Sequence, residues 1–330
     1  MPARDPTASK IEGGVPQVFP NPLLQDASTR FVERAAGSAA SPRRMQPPRA
    51  IRFWHLTSMD APTVAVAWAL AFAWAARAIL PWWIPVLLAM AAWVIYVADR
   101  LLDARRALRL GRTDGLRERH FFHWRHRRIL ATMAAAAALV AGAIALSLLP
   151  QAARERGSVL AAAAMVYLSR VHFVDAAANL NGRRLRIRSP QLRVCVPKEL
   201  LVGVLFTAAC VLPAWNRTAV RSWEFAAAAL FFAALAWLNC HAIDLWEARA
   251  EDAARRTIAV PAGLLGLAGA LIALIAAPVQ SRWAALLAAG ALAALLLNLL
   301  GRVRGRLTPL ALRAAADLAL LTPLALLLWR

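Results

Sequence analysis

Charge is scarce in this 330-residue sequence: 17% of the residues are charged, 60% are hydrophobic, and mean hydropathy is +0.52. Those proportions exclude an ordinary soluble domain. Strict polar/apolar alternation is also missing, because the apolar residues come in long Ala- and Leu-rich runs, and this excludes a membrane β-barrel. Cysteine is rare. Cys195, Cys210 and Cys240 are an odd number without a CxxC pair, so neither a disulfide framework nor a zinc knuckle follows. The first fifty or so residues lack both apolar periodicity and the charged-then-apolar layout of a cleavable signal peptide. They predict a disordered basic leader over residues 1–52, ahead of a helical membrane domain over 53–330.

What is present is a series of nine apolar stretches: Ala61–Leu80, Trp82–Ala98, Ile129–Leu149, Ser158–Val174, Leu200–Trp215, Phe225–Asn239, Ile258–Ala277, Trp283–Leu300 and Pro309–Trp329. Each approaches the roughly 20 residues that cross a bilayer as a helix. The second and sixth are short, but each continues into charged sequence of helical character. The expected fold is therefore all-α and polytopic, with about nine transmembrane helices in contact with membrane lipid.

The formal net charge is +21, almost all of it arginine. In a chain of apolar spans this is first a topology signal and not a nucleic-acid footprint, so no nucleic-acid partner is expected. The arginine-rich segments are the leader, Asp99–Arg128, Asp175–Lys198, His241–Arg256 and the Arg302–Arg306 turn, and they alternate with poor ones. The positive-inside rule then puts the N-terminus in the cytoplasm and the C-terminus outside, in what would be a bacterial inner membrane.

Acids cluster at two span ends. Asp99 and Asp103, four apart, share a helix face, and Asp244, Glu247 and Glu251 form a second acidic face. Aligning Asp103 with Glu247 superposes an acid-Ala-Arg run in spans four apart, which suggests two related four-helix halves followed by a final helix. Carboxylates so placed, with Arg100 and Arg106 beside them, suit a Mg2+-bridged diphosphate. They equally suit interfacial ion pairs with no substrate.

This pattern resembles the UbiA-type intramembrane prenyltransferases over roughly residues 60 to 330. The family's Asn-Asp-x-x-Asp-x-x-x-Asp motif is matched by Ile95-Tyr96-Val97-Ala98-Asp99-Arg100-Leu101-Leu102-Asp103, which keeps the last two acids and loses the leading Asn and Asp. Asn239-Cys240-His241-Ala242-Ile243-Asp244-Leu245-Trp246-Glu247 keeps the leading Asn of the second motif, with Cys240 in place of the next acid. Pro197-Lys198-Glu199 is similar to the family's lysine entering span five.

The resemblance implies Mg2+-assisted transfer of a prenyl group from a prenyl diphosphate to an unidentified hydrophobic acceptor, with aromatic compounds among the candidates. Asp99, Asp103, Asp244 and Glu247 would be metal ligands, and Lys198 would act with Asp99, Asp103 and Asp244 in catalysis. Arg100, Arg106, Asn239, Glu247, Tyr96 and Trp246 would bind substrate. A non-catalytic lipid-binding or transport-associated protein of the same fold is the alternative. Trp93, Tyr96, Trp237 and Trp246 could face a carbocation or form the interfacial aromatic belt.

Three further features stand apart. His120, His123 and His126 lie in a basic run that reads as an amphipathic helix at the headgroups more readily than as a zinc site. His172, Asp175 and Asn179 could line the same mouth as the acids. Asp317, inside the last apolar stretch, is an intramembrane acid and so a functional candidate, or the partner of an arginine.

Overall fold

The computed structural model describes residues 44–109, 111, 116–180, 197–218, 222–247 and 257–328, with side chains of the sixth helix described up to residue 172. The chain divides into units 1–41 and 42–330, and the described residues all belong to the second. The two glutamate and aspartate positions 251 and 252, the arginine cluster at 183–193, Cys195, and the side chains of Asp175 and Asn179 lie outside the described residues.

Among those residues every regular element is helical except one bridge, between Met45 and Leu307. The helices are α1 (Arg49–Leu56), α2 (Asp60–Ala75), α3 (Trp83–Arg109), α4 (Glu118–Arg125), α5 (Arg127–Leu148), α6 (Gln151–Leu180), α7 (Lys198–Trp215), α8 (Trp223–Glu247), α9 (Ala259–Ala276), α10 (Ser281–Val303), α11 (Pro309–Ala319) and α12 (Leu324–Leu328). Six of them, α3, α5, α7, α8, α9 and α10, are long and apolar enough to cross a membrane, and the bent α1–α2 pair would make a seventh. The chain is thus an all-helical protein with several membrane-spanning helices. The short second and sixth apolar stretches do run on, to Arg109 in α3 and to Glu247 in α8.

Three of the nine expected spans are not among these six: the fourth lies in α6, and the first and last are interrupted, for local reasons. The first ends at Ala75 because Arg77 takes a left-handed φ of 54° and lets the Ala78 N–H reach back to the Ala73 carbonyl at 2.8 Å. That six-to-one bond is a Schellman closure, here made by a non-glycine residue. The last breaks at Ala319, ahead of a turn containing Pro323, whose ring removes a backbone donor and disfavours helix in the residue before it. The Trp68 indole N–H donates to the Leu320 carbonyl at 2.9 Å, filling one acceptor that this break leaves open.

At the other end of α2 the chain turns a corner. Ser58 adopts φ 57°, and α1 meets α2 at 89°. The Trp93 indole N–H of α3 donates to the Thr57 carbonyl and the Trp54 indole N–H donates to Thr63 Oγ1, each at 3.0 Å, so the corner is held from both sides.

α2 is buried along most of its length. Its Trp68 stacks on Phe232 of α8 with ring centroids 3.9 Å apart, and Phe72, Phe225 and Trp283 complete an aromatic centre. Large apolar side chains stand exposed on α5 and α9, as lipid-facing surfaces require. α7 and α8 form an antiparallel hairpin, and they approach so closely that a Cβ on Gly203 would lie 2.8 Å from the Trp237 backbone nitrogen. Small residues at crossings let membrane helices pack where apolar burial alone gives no preference. Gly203→Ala should therefore force the hairpin apart and cost about 1–3 kcal/mol, read as a lower melting temperature in detergent. Gly142→Ala in α5, where nothing lies within 4 Å of the new Cβ, should not lower it.

Candidate functional site

The C-terminal ends of α3 and α8, the start of α7, and α4 carry the sequence's motif residues, and the structure brings most of them into ion pairs. Asp99 Oδ2 accepts from Arg100 at 2.7 Å, and its Oδ1 lies 3.1 Å from His172 Nε2 of α6. The other nitrogen of His172 lies 3.6 Å from Asp103 Oδ1, and His120 Nε2 of α4 lies 3.6 Å from Asp103 Oδ2. The imidazole of His172 thus stands between the two carboxylates. Arg100 lies over the Tyr96 ring, 5.6 Å from its centroid, and Arg106 donates to the Val171 carbonyl at 2.8 Å.

On the second motif, Glu247 accepts from Arg313 of α11 at 2.7 Å and lies 3.4 Å from Arg117, whose Nη2 also donates to the Glu247 carbonyl. Exposed Asp244 pairs with Lys198 of α7 at 3.3 Å, and Lys198 also lies 3.6 Å from Glu199. The Lys198 side chain is 65% exposed. Asn239 is buried and donates through Nδ2 to Asp317 Oδ1 at 3.2 Å. Trp246 packs on the core and lies near Gly301, Trp93 holds the α1–α2 corner, and Trp237 stacks on His241.

These pairings bear directly on Mg2+. A hard cation takes carboxylate oxygens that are free to turn toward it. Here His172 occupies the space between Asp99 and Asp103, Lys198 faces Asp244, and two arginines hold Glu247. As arranged, each of the four carboxylates faces a base.

α4 departs most from the sequence reading. A headgroup helix would keep its basic face in water, yet Arg119, His120 and His123 are all buried. The three histidines do not converge on a metal either. His120 Nδ1 accepts the Arg117 N–H at 3.0 Å, and His126 Nδ1 lies 2.9 Å from the Phe122 carbonyl. His123 Nδ1 lies 2.8 Å from the Arg119 carbonyl and its Nε2 lies 3.3 Å from Ser58 Oγ. That fits a neutral ring donating through Nδ1 and accepting through Nε2, which ties α4 to the α1–α2 corner.

Arg119 was hidden in the basic run and is the most telling residue of this end. It is 8% exposed, and its Nε and Nη1 have no hydrogen-bond partner among the described residues. Burial pulls its guanidinium well below the usual arginine range, and the neighbouring Arg100 and Arg313 act in the same direction while Glu247 and Asp60 oppose them. Those neighbours come from α3, α11, α8 and α2, so Arg119 stands where the two acidic helix ends meet. A buried charge without a partner costs on the order of 3–5 kcal/mol, and an anion would relieve that cost.

A second cluster joins the α1–α2 corner to α11. His55 Nδ1 lies 2.8 Å from Asp60 Oδ2 and 3.8 Å from Asp317 Oδ2. Asp317 was legible as an intramembrane acid. His55 and Asp60 sit just outside the first apolar stretch, and only the 89° corner brings them back over it. Arg313 precedes Asp317 by one helical turn but spends its short contact on Glu247.

Burial pushes His123 down from the ordinary 6.5 to about 4, with Arg100, His120 and Arg119 adding to the effect against its bond to the Arg119 carbonyl. An unfolded imidazole takes up its proton near 6.5, the native one only near 4. Between those values the unfolded chain holds more protons, so the contribution is present in full above pH 6.5 and is lost as pH falls toward 4. Melting temperature in detergent should fall across that window, and His123→Gln should flatten the dependence. A slope equal to wild type in the variant would remove His123 as a source.

No family model matches the chain, and none of the curated proteins or solved structures compared with it is significantly similar.

Proposed function

We propose that the chain binds a prenyl diphosphate or a closely similar anionic-headed lipid within the membrane. Its head would meet Arg119 and the flanking Arg100 and Arg313, and its chain would lie among the apolar helices. The observation that carries this reading is the buried Arg119 guanidinium, two of whose donors have no partner among the described residues. Arginine's forked donors suit phosphate oxygens, and the low-dielectric surroundings strengthen each contact. Because the carboxylates offered to Mg2+ are held by bases, binding in this reading draws its positive charge from arginine.

Prenyl transfer to a hydrophobic acceptor, as in the UbiA-type enzymes, is the second reading. Its support is that the motif lysine Lys198 meets the motif acid Asp244 at 3.3 Å, at the same ends of the helices as Asp99 and Asp103. Nine membrane crossings in two related four-helix halves plus a final helix belong to this reading. So does the topology: a bacterial inner membrane, N-terminus inside and C-terminus outside, following the arginine asymmetry.

Binding of radiolabelled prenyl diphosphate to purified protein in nanodiscs, with and without EDTA, tests the first reading. Arg119→Gln should weaken binding about 10–100-fold, the value of a charge-assisted hydrogen bond, and EDTA should leave wild-type binding within about twofold. Unchanged affinity in the variant, or binding lost with EDTA, would reject the arginine site. Formation of a prenylated product with an aromatic acceptor would establish transfer.

Orientation is tested in a background with Cys195, Cys210 and Cys240 replaced by alanine. Single cysteines at Gly115 and Gly182 should be protected from an impermeant thiol reagent in intact cells, whereas one at Asn216 should label. The reverse pattern would overturn the topology.

A further inference from the structure

The His55 cluster does something the lipid site does not explain. His55, Asp60 and Asp317 are 3%, 7% and partly exposed respectively, and one ligand atom from each lies within 4.8 Å of the others. We propose that these three side chains form a binding site for a divalent transition-metal ion of the Zn2+ or Mn2+ class, with the Asn239 amide as a fourth ligand.

Four observations support the site. First, its geometry fits a small ion. With ligand distances of about 2.0–2.2 Å, tetrahedral ligands stand about 3.4 Å apart. The two measured edges, 2.8 Å from His55 Nδ1 to Asp60 Oδ2 and 3.8 Å to Asp317 Oδ2, bracket that value.

Second, the charges suit a cation. With both carboxylates ionised and the ring neutral, as in a metal-bound state, the cluster carries two negative charges. Arg313, the nearest basic residue on α11, is engaged with Glu247. Third, one outer oxygen is already oriented. Asp60 Oδ1 accepts the Ala61 N–H at 2.9 Å, leaving its Oδ2 toward His55. Such contacts hold metal-ligating carboxylates in place.

Fourth, Asn239 is 6% exposed and its Oδ1 has no partner among the described residues. An amide oxygen buried without a donor is costly, and its assignment relative to the nitrogen is reversible by a flip about the last torsion. Turned over, Asn239 presents that oxygen where its nitrogen now meets Asp317, completing one nitrogen and three oxygen ligands. The nitrogen ligand favours Zn2+ or Mn2+ over Mg2+ or Ca2+, which prefer oxygen throughout. In a bound state the His55 ring is neutral, with Nδ1 toward the ion and its one proton on Nε2.

Such an ion would join α1, α2, α8 and α11 at one point, so its effect should appear in stability whether or not a lipid is bound. The test uses the full chain, purified with a chelator and dialysed free of it. Adding Zn2+ or Mn2+ at about 100 times its Kd should raise Tm by at least about 3 °C, and Mg2+ should not. His55→Gln and Asp317→Asn should lose the shift, while His126→Gln, outside the cluster, should keep it.

A wild-type protein that retains no metal by elemental analysis and shows no shift would overturn the site, as would an equal shift in all three variants. Should the cluster variants fail to fold, metal content of the wild type decides: one tightly held equivalent supports the site, and none rejects it. Lipid binding enters neither readout, so failure here leaves the arginine site standing, and the converse holds.

Discussion

The burial of ionisable groups at the ends of apolar helices is the constraint on which this structure depends. A helix in hydrocarbon satisfies its own backbone, but a carboxylate or guanidinium carried to its end must find an opposite charge or water. α3 brings Asp99 and Asp103 to that position, α8 brings Asp244 and Glu247, α2 begins with Asp60, and α11 carries Arg313 and Asp317. The pairings among them, Asp99 with Arg100, Glu247 with Arg313, Asp244 with Lys198, and His55 with Asp60, connect helices that the aromatic centre around Trp68 packs deeper in. Each pair settles a charge locally. What is left over among the described residues is therefore informative: a guanidinium at Arg119 without an acid partner, and a second carboxylate, Asp317, beside the His55–Asp60 pair.

Sequence periodicity was enough for the helical class and for the extension of α3 and α8 beyond their apolar cores, since both follow from composition over many residues. It could not show where the first span stops or that it starts at a corner. Both events rest on single residues, Arg77 and Ser58, with positive φ. Neither is a glycine or an asparagine, so nothing in the residue type announces the turn, and tertiary contacts such as Arg282 to the Trp74 carbonyl add to the local backbone bonds that close it. The candidate site was partly legible for the same reason. The motif acids, Lys198 and His172 are recognisable by type and spacing, whereas Arg119 is one of several arginines in a basic run and differs from the others in its burial. His55 and Asp60 escaped because a charged pair before an apolar run reads as a solvated helix start.

The two unsettled sites complement one another. Arg119 lies close enough to Asp60 and Glu247 to be influenced by both, so an anion at Arg119 and a cation at His55 would each reduce the charge the other site faces. His123 lies between them. Its Nδ1 contacts the Arg119 carbonyl, its Nε2 contacts Ser58, and Ser58 is the residue that turns the chain from His55 toward Asp60. A neutral imidazole is suited to that position, because a protonated one would add positive charge beside Arg119 and would lose its acceptor for the serine hydroxyl.

The equivalence of Asp103 and Glu247 suggested by their acid-Ala-Arg runs is instructive at the level of partners. Asp103 faces two imidazoles, His172 and His120, and Glu247 faces two guanidinium groups, Arg313 and Arg117. α4 serves both, through His120 toward α3 and, just ahead of its first residue, Arg117 toward α8. A short helix that carries bases to two acidic ends fixes their separation, and the residue between those two bases that has no acid partner among the described residues is Arg119. The placement of its guanidinium follows from that arrangement: it is held at the meeting point by neighbours on either side, and no acid among the described residues pairs with it.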